Sequence, residues 1–199
     1  MKKFILFIFI PLFFLANPIF SQEKGHLVII GGGEKTTEIM QRIVELAGGI
    51  NSKIVVIPNA SSYPEEAAIS TIEQFYNIGY TNIDYILFTR EEADKDSLIE
   101  KLSGASGIFF SGGDQSYLTR DMLGTKLLAK VFEIYNNGGV VGGTSAGAAV
   151  MSEIMITGNE LVNKDSIDAF ISIQRANIQV KCGFGFIISA VIDQNFVKI

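Results

Sequence analysis

The chain has 199 residues, among them 16 Lys or Arg, 21 Asp or Glu, one His and one Cys. A net charge of −5 with no Lys/Arg block excludes the electrostatic footprint of a nucleic-acid binder. Cys182 alone cannot form an internal disulfide, and one His without a Cys pair excludes an ordinary zinc site.

The N-terminus carries Lys2 and Lys3 and then an apolar run from Phe4 to Leu15. This is the pattern of a secretory signal over residues 1–21, cut after Ser21 or, as second choice, after Ala16. Pro11 breaks the run, which falls short of the roughly 20 residues a membrane span needs. Export predicts a secreted or periplasmic protein with no stable membrane span. The 178 residues left carry 14 basic and 21 acidic side chains and suit a single domain over residues 22–199.

Short apolar runs then alternate with helical stretches. His26–Ile30 is a strand candidate ending in Gly31-Gly32-Gly33, and Thr36–Ala47 a helix. Lys53–Ile57 stops at Pro58. The next helix begins near Pro64, a residue suited to a first helical position, with Ala68, Ile72, Phe75 and Tyr76 at helical spacing. Ile83–Phe88 reads as a third strand and Asp96–Leu102 as a short helix. Gly107–Phe110 reads as a fourth strand, Ser116–Leu123 and Lys126–Tyr135 as helices, and Gly139–Gly142 as a fifth strand.

Continuous apolar strands are buried on both faces, which predicts a doubly wound, mostly parallel α/β sheet flanked by helices. A ligand site then lies at the strands' carboxyl ends, on the loops at 31–36, 58–63, 111–115 and 143–147. Beyond Met151 the pattern loosens. Ile154–Thr157 and Ala190–Ile192 read as short strands, and Ser166–Phe170 as a helical turn.

Gly143-Thr144-Ser145-Ala146-Gly147 matches Gly-x-Ser-x-Gly between an apolar strand and a small-residue helix start, Ala146–Met151. A nucleophile on such a turn is strained, and flanking glycines remove side chains that would clash there. The Ala146 amide would point where an oxyanion develops. Ser111-Gly112-Gly113-Asp114-Gln115 also follows a strand. Its Gly113 amide is a candidate second oxyanion donor, and Asp114 a candidate cap for a helix beginning at Gln115. Gly31-Gly32-Gly33 does not complete Gly-x-Gly-x-x-Gly, because position 36 is Thr, and no phosphate-binding loop pattern occurs. No cofactor is implied. His26 opens the first strand, away from the rim, and reads as a strand-edge residue rather than a base.

The stretches 142–151 (GGTSAGAAVM), 109–118 (FFSGGDQSYL), 27–34 (LVIIGGGE) and 191–196 (VIDQNF) resemble the cyanophycinase/dipeptidase E family of serine peptidases. The resemblance covers residues 26–199 and implies a class I glutamine-amidotransferase-like α/β sandwich. It also implies a serine-type exopeptidase or isopeptidase; cyanophycinases act on β-aspartyl-arginine units of cyanophycin. By motif, Ser145 would be the nucleophile, Gly113 and Ala146 the oxyanion donors, and Gln115 a ligand for the substrate backbone. Asp114, Thr144, Asp193 and Gln194 fall in the same substrate-binding motifs. The acid partner would be Glu160, with Asp165 and Asp168 as weaker candidates. The family analogy extends to a homodimer. A glutamine amidotransferase would need Cys at the elbow, where this chain has Ser145.

The family's base is the His of an Asp-Gln-His-Phe motif, and here that position is Asn195. An amide cannot take up a proton at ordinary pH. The resemblance also implies arginines beyond this motif, and with the sequence ending at Ile199 the expectation is a C-terminally truncated domain over 22–199. The leading expectation is a secreted cyanophycinase-type peptidase of impaired activity acting on a peptide substrate. The alternatives are an inactive binding protein or gene fragment that keeps the fold, and a dipeptidase E-like aspartyl dipeptidase.

Overall fold

The computed structural model describes residues 24–162 and 177–194. Five strands build the main sheet: β1 (His26–Ile30), β2 (Ile54–Ile57), β3 (Ile83–Tyr85), β4 (Gly107–Phe110) and β5 (Val140–Thr144). Every pairing is parallel, and the spatial order is β1-β5-β4-β2-β3. The helices are α1 (Thr37–Leu46), α2 (Pro64–Asn77), α3 (Asp96–Glu100), α4 (Gln115–Met122), α5 (Lys126–Asn136) and α6 (Ala146–Ala149). A separate antiparallel pair joins β6 (Ile154–Glu160) to β7 (Ile178–Cys182).

Alternating side chains of β2, β4 and β5 divide the core in two. Ile54, Val56, Phe109 and Val140 pack with Met40 and Ile43 of α1 and Phe75 of α2. Val55, Ile57, Ile108, Phe110 and Val141 pack on the other face with Leu98, Leu118, Val131 and Val150, from α3 to the end of α6. Helices on both faces let these strands be apolar throughout, as the sequence implies. Asp114 caps α4 by accepting from the Ser116 amide at 2.7 Å, and Pro64 occupies the first turn of α2.

The sequence-based boundaries need correction at several points. The third strand ends at Tyr85, although the Ile86 amide still reaches the Val56 carbonyl. β1 lies at the sheet edge, so it is not buried on both faces, and Ile29 is 43% exposed. Ala190–Ile192 forms no strand. The bridge to Ser152 is made by Ile187, and the Ile192 amide instead bonds the Ser152 hydroxyl at 3.0 Å. β7 has no counterpart in the sequence reading, and the helical turn expected at Ser166–Phe170 lies outside the described residues.

The connections explain where the site falls. From β1 the chain leaves to α1 on one face, and from the neighbouring β5 it leaves to α6 on the other. Diverging connections open a crevice at the carboxyl ends of adjacent strands. Ser145 stands at that opening, its amide donating to the Ile30 carbonyl at 2.8 Å.

Candidate active site

Ser145 has φ +52 and ψ −112, and it is the one non-glycine residue with positive φ among the described residues. Such a conformation costs on the order of 1–3 kcal/mol and persists only where its surroundings enforce it. The enforcement is visible in the two flanking glycines. A Cβ on Gly143 would stand 2.3 Å from the Gly147 carbonyl oxygen, and one on Gly147 would stand 2.4 Å from that of Phe110. The chain therefore turns from β5 into α6 with Ser145 half-exposed, while Thr144 and Ala146 on either side are buried.

A cleft of about 920 Å³ opens over this turn. Its walls come from the Gly31–Gly33 loop, from Ser70, Thr71 and Gln74 of α2, from Ser111 and Gly112, and from Asp193 and Gln194. Gly112 lies beside the serine: a Cβ there would stand 3.5 Å from that of Ser145. Lys35 also lines the cleft. Burial pushes its ammonium below the usual lysine range, and no ion pair compensates it among the described residues.

Aromatic docking carries the C-terminal segment to the cleft. Phe184 packs on Phe110 with ring centres 5.5 Å apart, and Phe186 stacks on Phe132 at 4.1 Å. Behind the cleft, the buried Gln115 donates from Nε2 to the Ile156 carbonyl and accepts at Oε1 from Gln194 Nε2 at 3.0 Å. One side chain thus ties β6 and residue 194 to the start of α4.

The structure brings together Thr144, Ser145, Asp193 and Gln194 at the cleft. Gln115 holds protein groups at both ends of its amide, Asp114 is the cap of α4, and neither lines the cleft. The exposed Gly113, at φ +140, is pinned against Ala60, and Ala146 is buried at the head of α6. Glu160 lies on β6, where it accepts from Asn177 Nδ2 at 3.1 Å and lines a different hollow. Asp165, Asp168 and Asn195 lie outside the described residues. His26 is exposed at the start of β1, at the opposite end from the cleft.

Sequence reasoning missed Lys35 and the polar face of α2. The second was legible: Ala67, Ser70, Thr71 and Gln74 repeat at helical spacing, offset from the buried Ala68 and Phe75. A lone lysine five residues beyond the end of β1 carries no such periodic signal.

A parallel doubly wound sheet with a strained serine turning into a helix at the switch point has the nucleophile-elbow arrangement of α/β hydrolytic proteins. The pattern of Peptidase family S51 matches residues 27–175. The chain is 33% identical over 184 residues to a cyanophycinase of Synechococcus elongatus, covering 88% of this chain and 54% of that one. It is 32% identical over 182 residues to a cyanophycinase of Geminocystis herdmanii (strain PCC 6308), covering 87% and 62%. The crystal structure of a peptidase from an acI-B1 Actinobacterium matches with a TM-score of 0.63 and 26% identity, covering 83% of this chain and 66% of that one. The chain belongs to peptidase family S51. It spans between about half and three-fifths of the length of these cyanophycinases.

Proposed function

We propose that this chain is an exported serine-type peptidase of the cyanophycinase type, acting on β-aspartyl-arginine peptides through Ser145 with reduced turnover. The observation that carries this reading is the positive φ of Ser145 at the mouth of the cleft. Attack by Oγ on the scissile carbonyl would form a C–O bond and leave an oxyanion facing the amides of Ala146 and Gly113. The hydroxyl proton must leave at the same time; the amide of Asn195 is no acceptor for it, so it would pass to solvent water. Collapse of the oxyanion would break the C–N bond as the leaving amine takes a proton from solvent, and a second water would hydrolyse the acyl-serine. A site that keeps its oxyanion donors but lacks one member of the triad retains roughly 10³–10⁴-fold acceleration over water. Substrate preference follows the cyanophycinase relatives, and export follows the Lys2–Leu15 pattern.

The test is release of β-Asp-Arg from cyanophycin by the purified chain and by Ser145→Ala. Slow release that disappears in Ser145→Ala supports the reading, and equal release from both sinks it. Asn195 also favours a second reading, a binding protein that holds the peptide and does not cut it. In that case the unaltered chain and Ser145→Ala bind β-Asp-Arg alike, and neither releases product.

A further inference from the structure

The Ser145 cleft does not end at Lys35. A hollow of about 400 Å³ adjoins it, and Gly33, Lys35 and Gln74 belong to the walls of both. Lys35 therefore stands at the boundary of a two-part groove, not at a dead end. The parallel pairing of β1 with β5 sets Ile30 beside Thr144, which fixes the loop carrying Lys35 next to the elbow.

Lys35 is the one Lys or Arg among the described residues that line either cavity. The facing groups of α2 are uncharged: Ser70, Thr71 and Gln74. The other charged side chains among the described lining residues are Asp193 across the cleft and Glu34 in the hollow. Among the described lining residues, Lys35 is the group that would attract an anion entering the groove. A half-buried ammonium without a counter-ion has lost hydration that nothing in the described protein replaces. A carboxylate supplies the replacement as a charge-assisted hydrogen bond.

We propose that Lys35 receives a carboxylate of the bound peptide at the boundary between the Ser145 cleft and the hollow beyond it. The inference rests on the groove being a peptide site, as proposed above, and makes Lys35 a residue that selects peptides with a free acid there. Charge-assisted bonds of this kind correspond to roughly ten- to hundredfold in affinity.

The experiment titrates the purified chain with N-acetylglycinate, a minimal peptide carboxylate, and with N-acetylglycinamide, following backbone amide resonances at Lys35 and Ser145. The expected result is at least tenfold tighter binding of the acid, shifts at both positions, loss of the preference in Lys35→Met and its retention in Lys35→Arg. Equal binding of the two probes to the unaltered chain overturns the proposal without recourse to any variant. So does failure of both to bind, or a preference that survives in folded Lys35→Met. Binding of these probes needs no turnover. Loss of the peptidase reading, scored by Ser145→Ala in the release assay, therefore leaves this result standing, and the converse also holds.

Discussion

A β-carbon on Gly147 would stand 2.4 Å from the carbonyl oxygen of Phe110, so the first turn of α6 is seated directly on the end of β4. Gly143 is equally constrained, with the Gly147 carbonyl at 2.3 Å. Both contacts are with backbone, which cannot rotate away as a side chain would. Gly143→Ala and Gly147→Ala should each destabilise the fold by about 3 kcal/mol, the upper range for overpacking. Urea unfolding of both variants measures this. Values within about 0.5 kcal/mol of the unaltered chain would contradict the geometry.

Gly112 makes the contrasting case. Its added carbon would meet Ser145 Cβ at 3.5 Å, an ordinary contact. Gly112→Ala should keep stability within about 1 kcal/mol, because the less flexible unfolded chain offsets minor crowding. The same methyl narrows the cleft beside Ser145. Binding of β-Asp-Arg should weaken by about tenfold, roughly 1.4 kcal/mol, while the unfolding midpoint barely moves.

Ser145 itself offers a stability test independent of substrate. Alanine at φ +52 bears the same backbone strain as serine, whereas glycine does not. Ser145→Ala should unfold at nearly the same temperature as the unaltered chain. Ser145→Gly should be more stable by about 1 kcal/mol, since relief of strain exceeds the entropy cost of glycine. Glycine that destabilises relative to alanine would show that Ser145 is not strained.

The contrast between legible and hidden parts of this fold follows from what each residue touches. Ile54–Ile57 and Gly107–Phe110 are buried on every side, so their apolar runs declare them. The Gly-Thr-Ser-Ala-Gly turn was equally plain, because its glycines answer to backbone contacts that no other residue tolerates. β7 was legible and escaped notice: Ile178, Val180 and Cys182 alternate with Gln179 and Lys181, but the strand is short and pairs in a two-stranded sheet with most of its side chains exposed, so burial adds nothing to that signal. Ala190–Ile192 misled for the opposite reason. Its apolar residues look like a strand, while the ladder position beside Ser152 goes to Ile187. The role of Gln115 was hidden altogether, since its partners Ile156 and Gln194 are 41 and 79 residues away in sequence.

That long-range tie yields the final prediction. Gln115 is 2% exposed, and its amide serves the Ile156 carbonyl at one end and Gln194 at the other. Gln115→Glu keeps the shape, but a carboxylate oxygen then faces the Ile156 carbonyl where a donor was. Leaving a buried acceptor without its donor costs about 1–3 kcal/mol, and opposing a charge to it adds to that. Gln115→Ala removes both bonds and leaves a void, with a loss of similar size. In both variants the segment 183–194 should exchange its amide hydrogens faster, most of all toward residue 194, because the tie to Gln115 is lost while the contacts of Phe184 and Phe186, the backbone bonds of residues 183–187 to Val150–Glu153 and the Ile192–Ser152 bond remain. Hydrogen exchange resolved by segment checks this against α5, whose protection should follow global stability only. Unchanged exchange at 183–194 would mean that the backbone bonds and aromatic docking suffice, and that Gln115 does not position Asp193 and Gln194 at the cleft.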